Sequence, residues 1–415
     1  MRGLAAFFLL LSVAPGQELR FSLRSEPATL DPLKVDDEYS DLIRYLTSGM
    51  LIRMNRITQQ LHDLGQSLWI DNISRQALQD GSLKKRIEEF SVTGLTSNPT
   101  IFEKAMGEGS AYDDAIARVA REGRSTEELF FSLAIDDLQH AADLFRPTWA
   151  ATGGVDGWVS LELPPTLADD TRGSIQMAAS LHRQAARENL FVKIPGTPAG
   201  VAAIEECIYQ GIPINVTLLF STAQYQAAAT AYMRGIERRL NDGKSPVVES
   251  VASLFVSRWD VAVQDVVAPQ YRNRLGVAVG MRTYRAYREL LDSGRWRRLA
   301  EAGVHPQRLL FASTGTKDPD ASPTLYVEGL AAPDTIDTMP DKTLEAFADR
   351  GVVGAPLPAD GGLSEQVLDE FRREGVDLEA LAQRLQREGG EAFVKSWNAL
   401  LGGLRRKAAK LAAVA

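Results

Sequence analysis

Residues 190–220 have the sequence LFVKIPGTPAGVAAIEECIYQGIPINVTLLF, and this stretch is the clearest indicator of the fold. Two short apolar runs, 190–195 and 213–220, flank a helical pattern over 198–210. Each run contains consecutive apolar residues, Phe191-Val192 and Leu218-Leu219-Phe220, which would be buried on both faces, as in strands covered by helices on one side and by a packed barrel interior on the other. The stretch therefore predicts a strand–helix–strand unit with buried strands.

The same alternation continues along the chain from residue 60 onward. Strands are predicted over 67–72, 92–98, 157–163, 190–195, 213–220, 249–257, 309–314 and 334–339. Helical patterns cover 125–145, 170–188, 198–210, 221–241 and 259–294. Eight strands alternating with helices predict an α/β fold, a (β/α)8 barrel, with a doubly wound sheet as the alternative. The amphipathic segment 364–415 is expected to form helices across the mouth or side of the barrel, with a membrane-surface helix as the alternative.

The composition excludes several classes of protein. The chain has 415 residues, of which 45% are hydrophobic and 24% charged, so a large core can form and wholesale disorder is excluded. Its net charge of −8 argues against a nucleic acid as the main partner. The one cysteine, Cys207, excludes an internal disulfide, and the four histidines are scattered without metal-ligand spacing. A small phosphorylated substrate remains compatible, because it needs only one or two local cations.

Six successive predicted strands carry polar residues at or near their carboxyl ends, where the chemistry of such barrels takes place. In chain order they are Asp71, Asn98, Glu162, Lys193, Asn215 with Thr217, and Ser253. Ionisable groups inside apolar strands are costly unless they are paired, so each of them is informative. Asn215 and Ser253 are expected to orient substrate hydroxyls or a water, whereas Thr217 could equally be present for its β-propensity.

Lys193 is the most informative of these residues, because its neighbours Val192 and Ile194 are apolar. Desolvation favours the neutral amine, a nucleophile that condenses with a carbonyl to form a Schiff base. The iminium then serves as an electron sink for carbon–carbon cleavage. Glu162 and Asp71 would supply carboxylates for proton transfer, directly or through a water. The alternative is a structural ion pair between Lys193 and one of these carboxylates, and the two interpretations can hold together.

A phosphate site is predicted after the sixth and seventh strands. Arg258 follows the sixth strand and offers a bidentate fork. The segment Ser313-Thr-Gly-Thr-Lys317 follows the seventh strand, and loops at this place often bind phosphate in barrels. The alternative is a solvated turn. The spacing is not that of a P-loop, and no glycine-rich dinucleotide fingerprint is present.

Five stretches of the sequence, taken together and in this order, are highly specific: QSLWIDN (66–72), GLTSNPTIF (94–102), FVKIPGT (191–197), INVTLLFS (214–221) and FASTGTKDP (311–319). They resemble the corresponding stretches of transaldolases of the longer bacterial type. The resemblance runs from about residue 55 to the C-terminus. It implies a class I aldolase of the pentose phosphate pathway that needs no metal or organic cofactor. It implies transfer of a dihydroxyacetone unit from sedoheptulose 7-phosphate or fructose 6-phosphate to glyceraldehyde 3-phosphate or erythrose 4-phosphate.

The resemblance also implies a role for each site residue. Lys193 matches the Schiff-base lysine, and Glu162 matches an acid/base that acts through a water held with Thr217. Asp71 matches the base that deprotonates the C4 hydroxyl. The substrate ligands that it implies are Asn98 and Asn215 for the dihydroxyacetone unit, Ser253 as a further site serine, and Arg258, Ser313 and Lys317 for phosphate. The sequence departs from the pattern of shorter transaldolases at residues 253–258 (SLFVSR), where those relatives have a proline-containing segment.

Residues 1–54 are foreign to this pattern. Residues 1–17 are typical of a secretory signal, and their apolar run is too short to span a bilayer. The following stretch, with EPATLDP at 26–32, resembles the start of periplasmic oligopeptide-binding components of ABC transporters. We expect residues 1–54 to be an arm of marginal order, produced by a fusion or a misassigned start. The functional chain would begin near Met50 or Met54, and residues 55–415 would form the barrel domain.

Two other functions compete with the transaldolase hypothesis. A fructose-6-phosphate aldolase would share Lys193 and the barrel, but the resemblance places a glutamate such as Glu162 in transaldolases and a different arrangement in free aldolases. A periplasmic binding module would need two lobes, which the strand pattern does not favour. We expect sugar-phosphate substrates, no nucleic-acid or membrane partner, and a cytoplasmic location in conflict with the signal-like segment. A homodimer is compatible with the sequence.

Overall fold

The computed structural model describes residues 54–107 and 109–414, so the segment resembling a signal and a transporter component lies almost entirely outside the described residues. Eight parallel strands close into a barrel in chain order. They are β1 (Gln66–Asp71), β2 (Val92–Thr96), β3 (Trp158–Glu162), β4 (Leu190–Pro195), β5 (Ile214–Leu219), β6 (Ser250–Phe255), β7 (Arg308–Ala312) and β8 (Thr335–Met339). Because β1 pairs with both β2 and β8, the predicted barrel is confirmed and the doubly wound sheet, which has open edges, is wrong.

Helices surround the barrel. They are α1 (Arg56–Asp63), α2 (Arg75–Gln79), α3 (Ser82–Glu89), α4 (Pro99–Gly107), α5 (Asp113–Ala120), α6 (Thr126–Ala151), α7 (Thr171–Ala185), α8 (Pro198–Gln210), α9 (Thr222–Asn241), α10 (Ser257–Val263), α11 (Leu275–Asp292), α12 (Gly294–Glu301), α13 (Leu325–Gly329), α14 (Asp341–Arg350), α15 (Ser364–Arg373) and α16 (Leu378–Val414). The predicted capping box opens α6: Ser125 Oγ accepts from the backbone N–H of Glu128, whose carboxylate accepts from Ser125 N–H. Helix α6 continues beyond the predicted end at residue 145.

The single helix predicted over 259–294 is wrong, because the structure divides this segment into α10, α11 and the start of α12. A 3₁₀ turn at Pro269 separates α10 from α11, since proline cannot donate the hydrogen bond that a continuous helix requires. Asp260 stabilises the new helix start. Its carboxylate accepts from the backbone N–H groups of Leu275 (2.9 Å) and Gly276 (3.0 Å).

The amino-terminal end of the barrel is closed by a buried polar network. Trp69 Nε1 donates to Asp156 Oδ1 at 2.7 Å, and Arg308 Nη2 donates to Ser67 Oγ at 2.7 Å. The indole of Trp69 lies so close to Gly94 that an added Cβ there would be 2.4 Å from the ring. Chemistry must therefore take place at the opposite end, where the carboxyl ends of the strands lie.

The helices predicted at the C-terminus are confirmed as α15 and α16. The apolar side chains Leu381, Leu385, Trp397 and Leu400 of α16 are buried in the core, so the alternative of a membrane-surface helix is wrong. Phe393 of the same helix lines a cavity at the barrel mouth. None of the helices in the described part of the chain is both long and apolar enough to cross a membrane.

Candidate active site

A cavity of about 390 Å³ opens at the carboxyl ends of the strands. Eight of the ten predicted site residues line it: Asp71, Asn98, Lys193, Thr217, Ser253, Arg258, Ser313 and Lys317. Glu162 and Asn215 lie just behind this wall, in contact with Lys193 and Ser253. A larger groove of about 990 Å³ lies on the outside, lined by α6 and α7, and contains none of the predicted residues. The fold therefore brings all ten to one end of the barrel.

Lys193 and Glu162 form a buried ion pair in the barrel interior. They face each other across the β3–β4 register, and Lys193 Nζ lies 3.1 Å from Glu162 Oε2. Only 4% of Lys193 and 6% of Glu162 is exposed. Lys193 Nζ also donates to the carbonyl of Ser97 at 2.9 Å. The structural ion pair predicted as an alternative is thus present, and it holds the amine at the cavity wall.

The carboxylate of Glu162 has room for a further partner. Apart from the contact with Lys193, neither of its oxygens accepts a hydrogen bond from the described residues, and the buried Thr217 Oγ1 is also without a partner there. Buried polar groups in such a site usually bind an ordered water. Burial raises the pKa of Glu162, and the negative charge of Asp71 adds to this, while the positive charges of Lys193 and Arg258 oppose it. Glu162 can therefore hold a proton at a higher pH than an exposed glutamate.

Asp71 lies at the carboxyl end of β1, partly buried at the cavity wall. Thr96 Oγ1 donates to Asp71 Oδ1 at 2.7 Å and lies 2.7 Å from the hydroxyl of Thr338. Burial raises the pKa of Asp71, while the charges of Lys193 and Lys317 and the hydrogen bond from Thr96 lower it. The result is an oriented carboxylate that can accept a proton from a ligand in the cavity.

Two asparagines are held in fixed orientations. Asn98 Oδ1 accepts from the backbone N–H of Ile101 at 3.0 Å, which caps the start of α4 and leaves the amide group of Asn98 as its remaining donor. Asn215 Nδ2 donates to Ser160 Oγ at 3.1 Å, and its Oδ1 accepts from Ser253 Oγ at 2.8 Å. Ser253 therefore orients Asn215 as well as lining the cavity.

The predicted phosphate residues share the rim of the cavity. Arg258 is partly buried, and its Cζ lies 5.2 Å from the ring centroid of Phe255 and 5.8 Å from that of Phe393. It forms no ion pair with any described residue, and burial lowers its pKa. Ser313 Oγ lies 2.8 Å from Ser257 Oγ, and Lys317 is exposed. A partly buried guanidinium without an ion-pair partner among the described residues is stabilised by binding an anionic ligand such as a phosphate group.

The loop that carries Ser313 is fixed from below by a carboxyl group that the sequence analysis did not identify. Ser313 adopts a left-handed φ of +57°, which demands support from its surroundings. Thr314 Oγ1 supplies it, lying 2.8 Å from Asp337 Oδ1 and 3.0 Å from the carbonyl of Thr338. Asp337 is fully buried, and its other oxygen has no partner among the described residues.

Replacing Asp337 with asparagine should flatten the pH dependence of stability. Burial raises the pKa of Asp337 from 3.8 to about 7. The unfolded chain loses this proton first, so the free energy of unfolding falls as pH rises through that interval. Between these two pKa values, the free energy of unfolding of Asp337→Asn should rise relative to that of the wild type by up to about 1.4 kcal/mol per pH unit. Melting temperatures of the two proteins between pH 5 and pH 8 check this; parallel curves would contradict it.

The sequence analysis missed several residues of the site. Thr96 lies within the quoted stretch 94–102 and could have been recognised, because it stands two residues before Asn98 in a predicted strand, where alternate side chains share a face. Thr338, Asp337 and Phe393 carried no such signal, since each depends on a contact between segments far apart in the chain. Lys104 also lines the cavity.

A closed parallel (β/α)8 barrel that buries a lysine beside a carboxylate at its carboxyl end has the arrangement of an aldolase of the Schiff-base class. A family model described as Transaldolase/Fructose-6-phosphate aldolase matches residues 68–404. The chain belongs to this family.

Curated relatives agree with this assignment. A protein named Transaldolase from Thermobifida fusca is 43% identical over 354 residues, which cover 83% of this chain and 96% of the relative. One from Thiobacillus denitrificans is 44% identical over 353 residues, covering 83% and 98%. One from Mycobacterium bovis is 42% identical over 347 residues, covering 81% and 93%.

Proposed function

We propose that this chain is a transaldolase that moves a dihydroxyacetone unit between sugar phosphates through a Schiff base on Lys193. The donor is sedoheptulose 7-phosphate or fructose 6-phosphate, and the acceptor is glyceraldehyde 3-phosphate or erythrose 4-phosphate. The observation that carries the proposal is the buried Lys193 amine, 3.1 Å from Glu162 and at the wall of a cavity that also contains Arg258. Relatives named Transaldolase support the choice of reaction.

The first half of the reaction would use Lys193 and the two carboxyl groups. Lys193 first transfers a proton to Glu162 within the ion pair, and its neutral Nζ then adds to the C2 carbonyl of the donor. The carbinolamine takes a proton from Glu162 and loses its oxygen as water, which leaves an iminium. Asp71 removes the proton of the C4 hydroxyl. The C3–C4 bond breaks, its electron pair moves into the iminium to give an enamine, and the shorter aldose phosphate departs.

The second half reverses these steps on a different aldehyde. The enamine carbon attacks the acceptor carbonyl, Asp71 returns its proton to the new C4 oxygen, and water hydrolyses the iminium to release the ketose. Glu162 would hold that water together with Thr217, which fits their lack of other partners in the described chain. Asn98 and Asn215 would bind the oxygens of the dihydroxyacetone unit.

Borohydride trapping tests this function. Wild-type protein incubated with fructose 6-phosphate and reduced with borohydride should carry a dihydroxyacetone-sized adduct on the peptide that contains Lys193. An adduct on another peptide, or none in folded protein, would contradict the proposal. Release of free dihydroxyacetone during turnover without an acceptor, at the rate of the transfer reaction, would instead indicate a fructose-6-phosphate aldolase.

Replacing Arg258 with alanine should raise the KM for fructose 6-phosphate by about tenfold or more, with a smaller change in kcat. The guanidinium would bind the phosphate group through charge-assisted hydrogen bonds, and losing one costs roughly 1.5–3 kcal/mol. Steady-state kinetics check this, and Arg258→Lys, which keeps the charge but not the fork, should have an intermediate KM. An unchanged KM would remove Arg258 from the phosphate site. Ser313 and Lys317 are the other phosphate ligands of the proposal.

We also propose that residues 55–415 form the functional unit and that residues 1–54 are foreign to it, including the segment that resembles a transporter component. The family match at 68–404 supports this division. A cytoplasmic location and a homodimer are part of the same hypothesis. Intact-mass measurement of natively produced protein tests the start, since a mature terminus near residue 17 would contradict both a start near Met54 and a cytoplasmic location. Light scattering measures the molar mass in solution and so tests the homodimer.

A further inference from the structure

The C-terminal helix α16 is connected directly to the ends of two site strands. Gln386 Nε2 donates to the carbonyl of Gly196, which follows β4, and to the carbonyl of Leu218 in β5, both at 3.0 Å. Leu218 has a left-handed φ of +57° at a register shift of β5 and directly follows Thr217. The helix therefore occupies a defined position over the cavity.

One turn further along α16, the position that a side chain of residue 389 would take faces the guanidinium of Arg258. A Cβ added at Gly389 would lie 2.9 Å from Arg258 Nη1 and 3.0 Å from Leu218 Cδ2, closer than carbon and nitrogen atoms pack. A Cβ added at the next residue, Gly390, would meet nothing within 4 Å. The two glycines thus share a helix but differ in whether a side chain would collide with the site.

The position of Arg258 depends on this contact, because no described carboxylate forms an ion pair with its guanidinium and Glu162 acts on it only through its charge. Its guanidinium lies near the ring of Phe255, near the ring of Phe393 from α16, and beside the bare backbone at Gly389. Aromatic rings attract a cation without fixing its rotation as a bidentate ion pair does. The absence of a side chain at Gly389 leaves the space that the guanidinium occupies.

We propose that Gly389 is a positioning residue that sets the place of the Arg258 guanidinium, and with it the phosphate specificity of the site. This inference rests on the proposed function in that it takes Arg258 as a phosphate ligand. A methyl group at Gly389 displaces the end of the flexible Arg258 side chain rather than backbone. The fold therefore tolerates the methyl group, while the phosphate loses its bidentate contact with the guanidinium.

Gly389→Ala and Gly390→Ala form a matched pair for the test. Alanine favours a helix over glycine at either position, so neither variant should melt below the wild type. Gly389→Ala should raise the KM for fructose 6-phosphate and the Kd for inorganic phosphate, measured by calorimetry, by about tenfold, because one charge-assisted hydrogen bond is lost. Its kcat should change far less. Gly390→Ala should stay within about twofold of the wild type in every quantity.

Three outcomes would overturn the inference. Equal KM and Kd values in the two variants would show that the methyl group does not disturb the phosphate site. A loss of kcat at unchanged KM would show that it acts through Leu218 and Thr217 instead. A lower melting temperature with loss of all ligand binding would show a structural defect. Trapping of unphosphorylated dihydroxyacetone on Lys193 serves as the check that the rest of the site is intact.

Failure of the proposed function is distinguishable from failure of this inference. If the wild type transfers no dihydroxyacetone unit, the proposed function fails, and the calorimetric Kd for phosphate still compares the two glycine variants. If the wild type is active and the variants bind phosphate equally, only the inference fails.

Discussion

Replacing Lys193 with methionine should lower turnover by at least about 1,000-fold and abolish borohydride trapping with fructose 6-phosphate. Methionine has a similar length and volume but no amine, so no iminium can form and the electron pair of the C3–C4 bond has no acceptor. The measurement is the rate at which glyceraldehyde 3-phosphate appears from fructose 6-phosphate and erythrose 4-phosphate. The large effect follows from covalent catalysis, because no other described residue combines an amine with this burial beside a carboxylate.

Lys193→Met should also change the stability of the protein, and this effect can be distinguished from the loss of turnover. It leaves Glu162 buried without its cation, and removing one partner of a buried pair costs roughly 3–5 kcal/mol unless the other becomes neutral. The pKa of Glu162 is already raised by burial, so it should take up a proton and limit the loss. The double variant Lys193→Met/Glu162→Gln should then melt near the wild type while staying inactive.

Lys85→Met is the control for the lysine substitution. Lys85 lies on the exposed helix α3 and is paired only at the surface, so its replacement should change neither turnover nor trapping. Substantial activity in folded Lys193→Met, or an adduct on a different lysine of that variant, would contradict the mechanism.

The strands and their polar residues could be predicted from local sequence for a physical reason. A short apolar run bounded by turn residues has few structures open to it, and β4 was predicted to the residue over 190–195. An ionisable side chain inside such a run must face other polar groups, which is why Lys193 and Glu162 could be assigned to one site before their contact was known. The contact itself requires the register of β3 against β4.

The remaining features of the site depend on packing between distant segments. Periodicity showed that 364–415 is helical but not that Gly389 would face Arg258. The apolar pattern over 259–294 continues through the break at Pro269, so the pattern alone predicted one helix. Asp337 is buried in β8, and its role became visible only through its hydrogen bond with the hydroxyl of Thr314. Contacts of this kind have no local signature.

Replacing Glu162 with glutamine should lower kcat by about 100- to 10,000-fold, the range for loss of a positioned acid/base. Glutamine keeps the shape and can still hydrogen-bond to a water, but it cannot donate the proton that expels the carbinolamine oxygen. Because burial raises the pKa of Glu162, its protonated form persists to higher pH than that of an exposed glutamate, and activity that needs this form should fall as pH rises through the raised value. That limb of the kcat profile should vanish in the variant.

Thr217→Val is the matched variant for the water that Glu162 and Thr217 are proposed to share. Valine preserves the shape of the buried side chain but removes the hydroxyl, whose oxygen has no partner in the described chain. It should lower kcat by about tenfold while leaving the pH profile in place, since the titrating group remains. A purely structural Glu162 gives the opposite pattern: Glu162→Gln would leave Lys193 buried without a counter-charge and lower the melting temperature, yet kcat per folded molecule and its pH dependence would match the wild type. Measuring kcat, its pH profile and the melting temperature for both variants separates an acid/base role of Glu162 from a structural one. Only an acid/base role predicts that Glu162→Gln lowers kcat and also removes the titration of Glu162 from the pH profile.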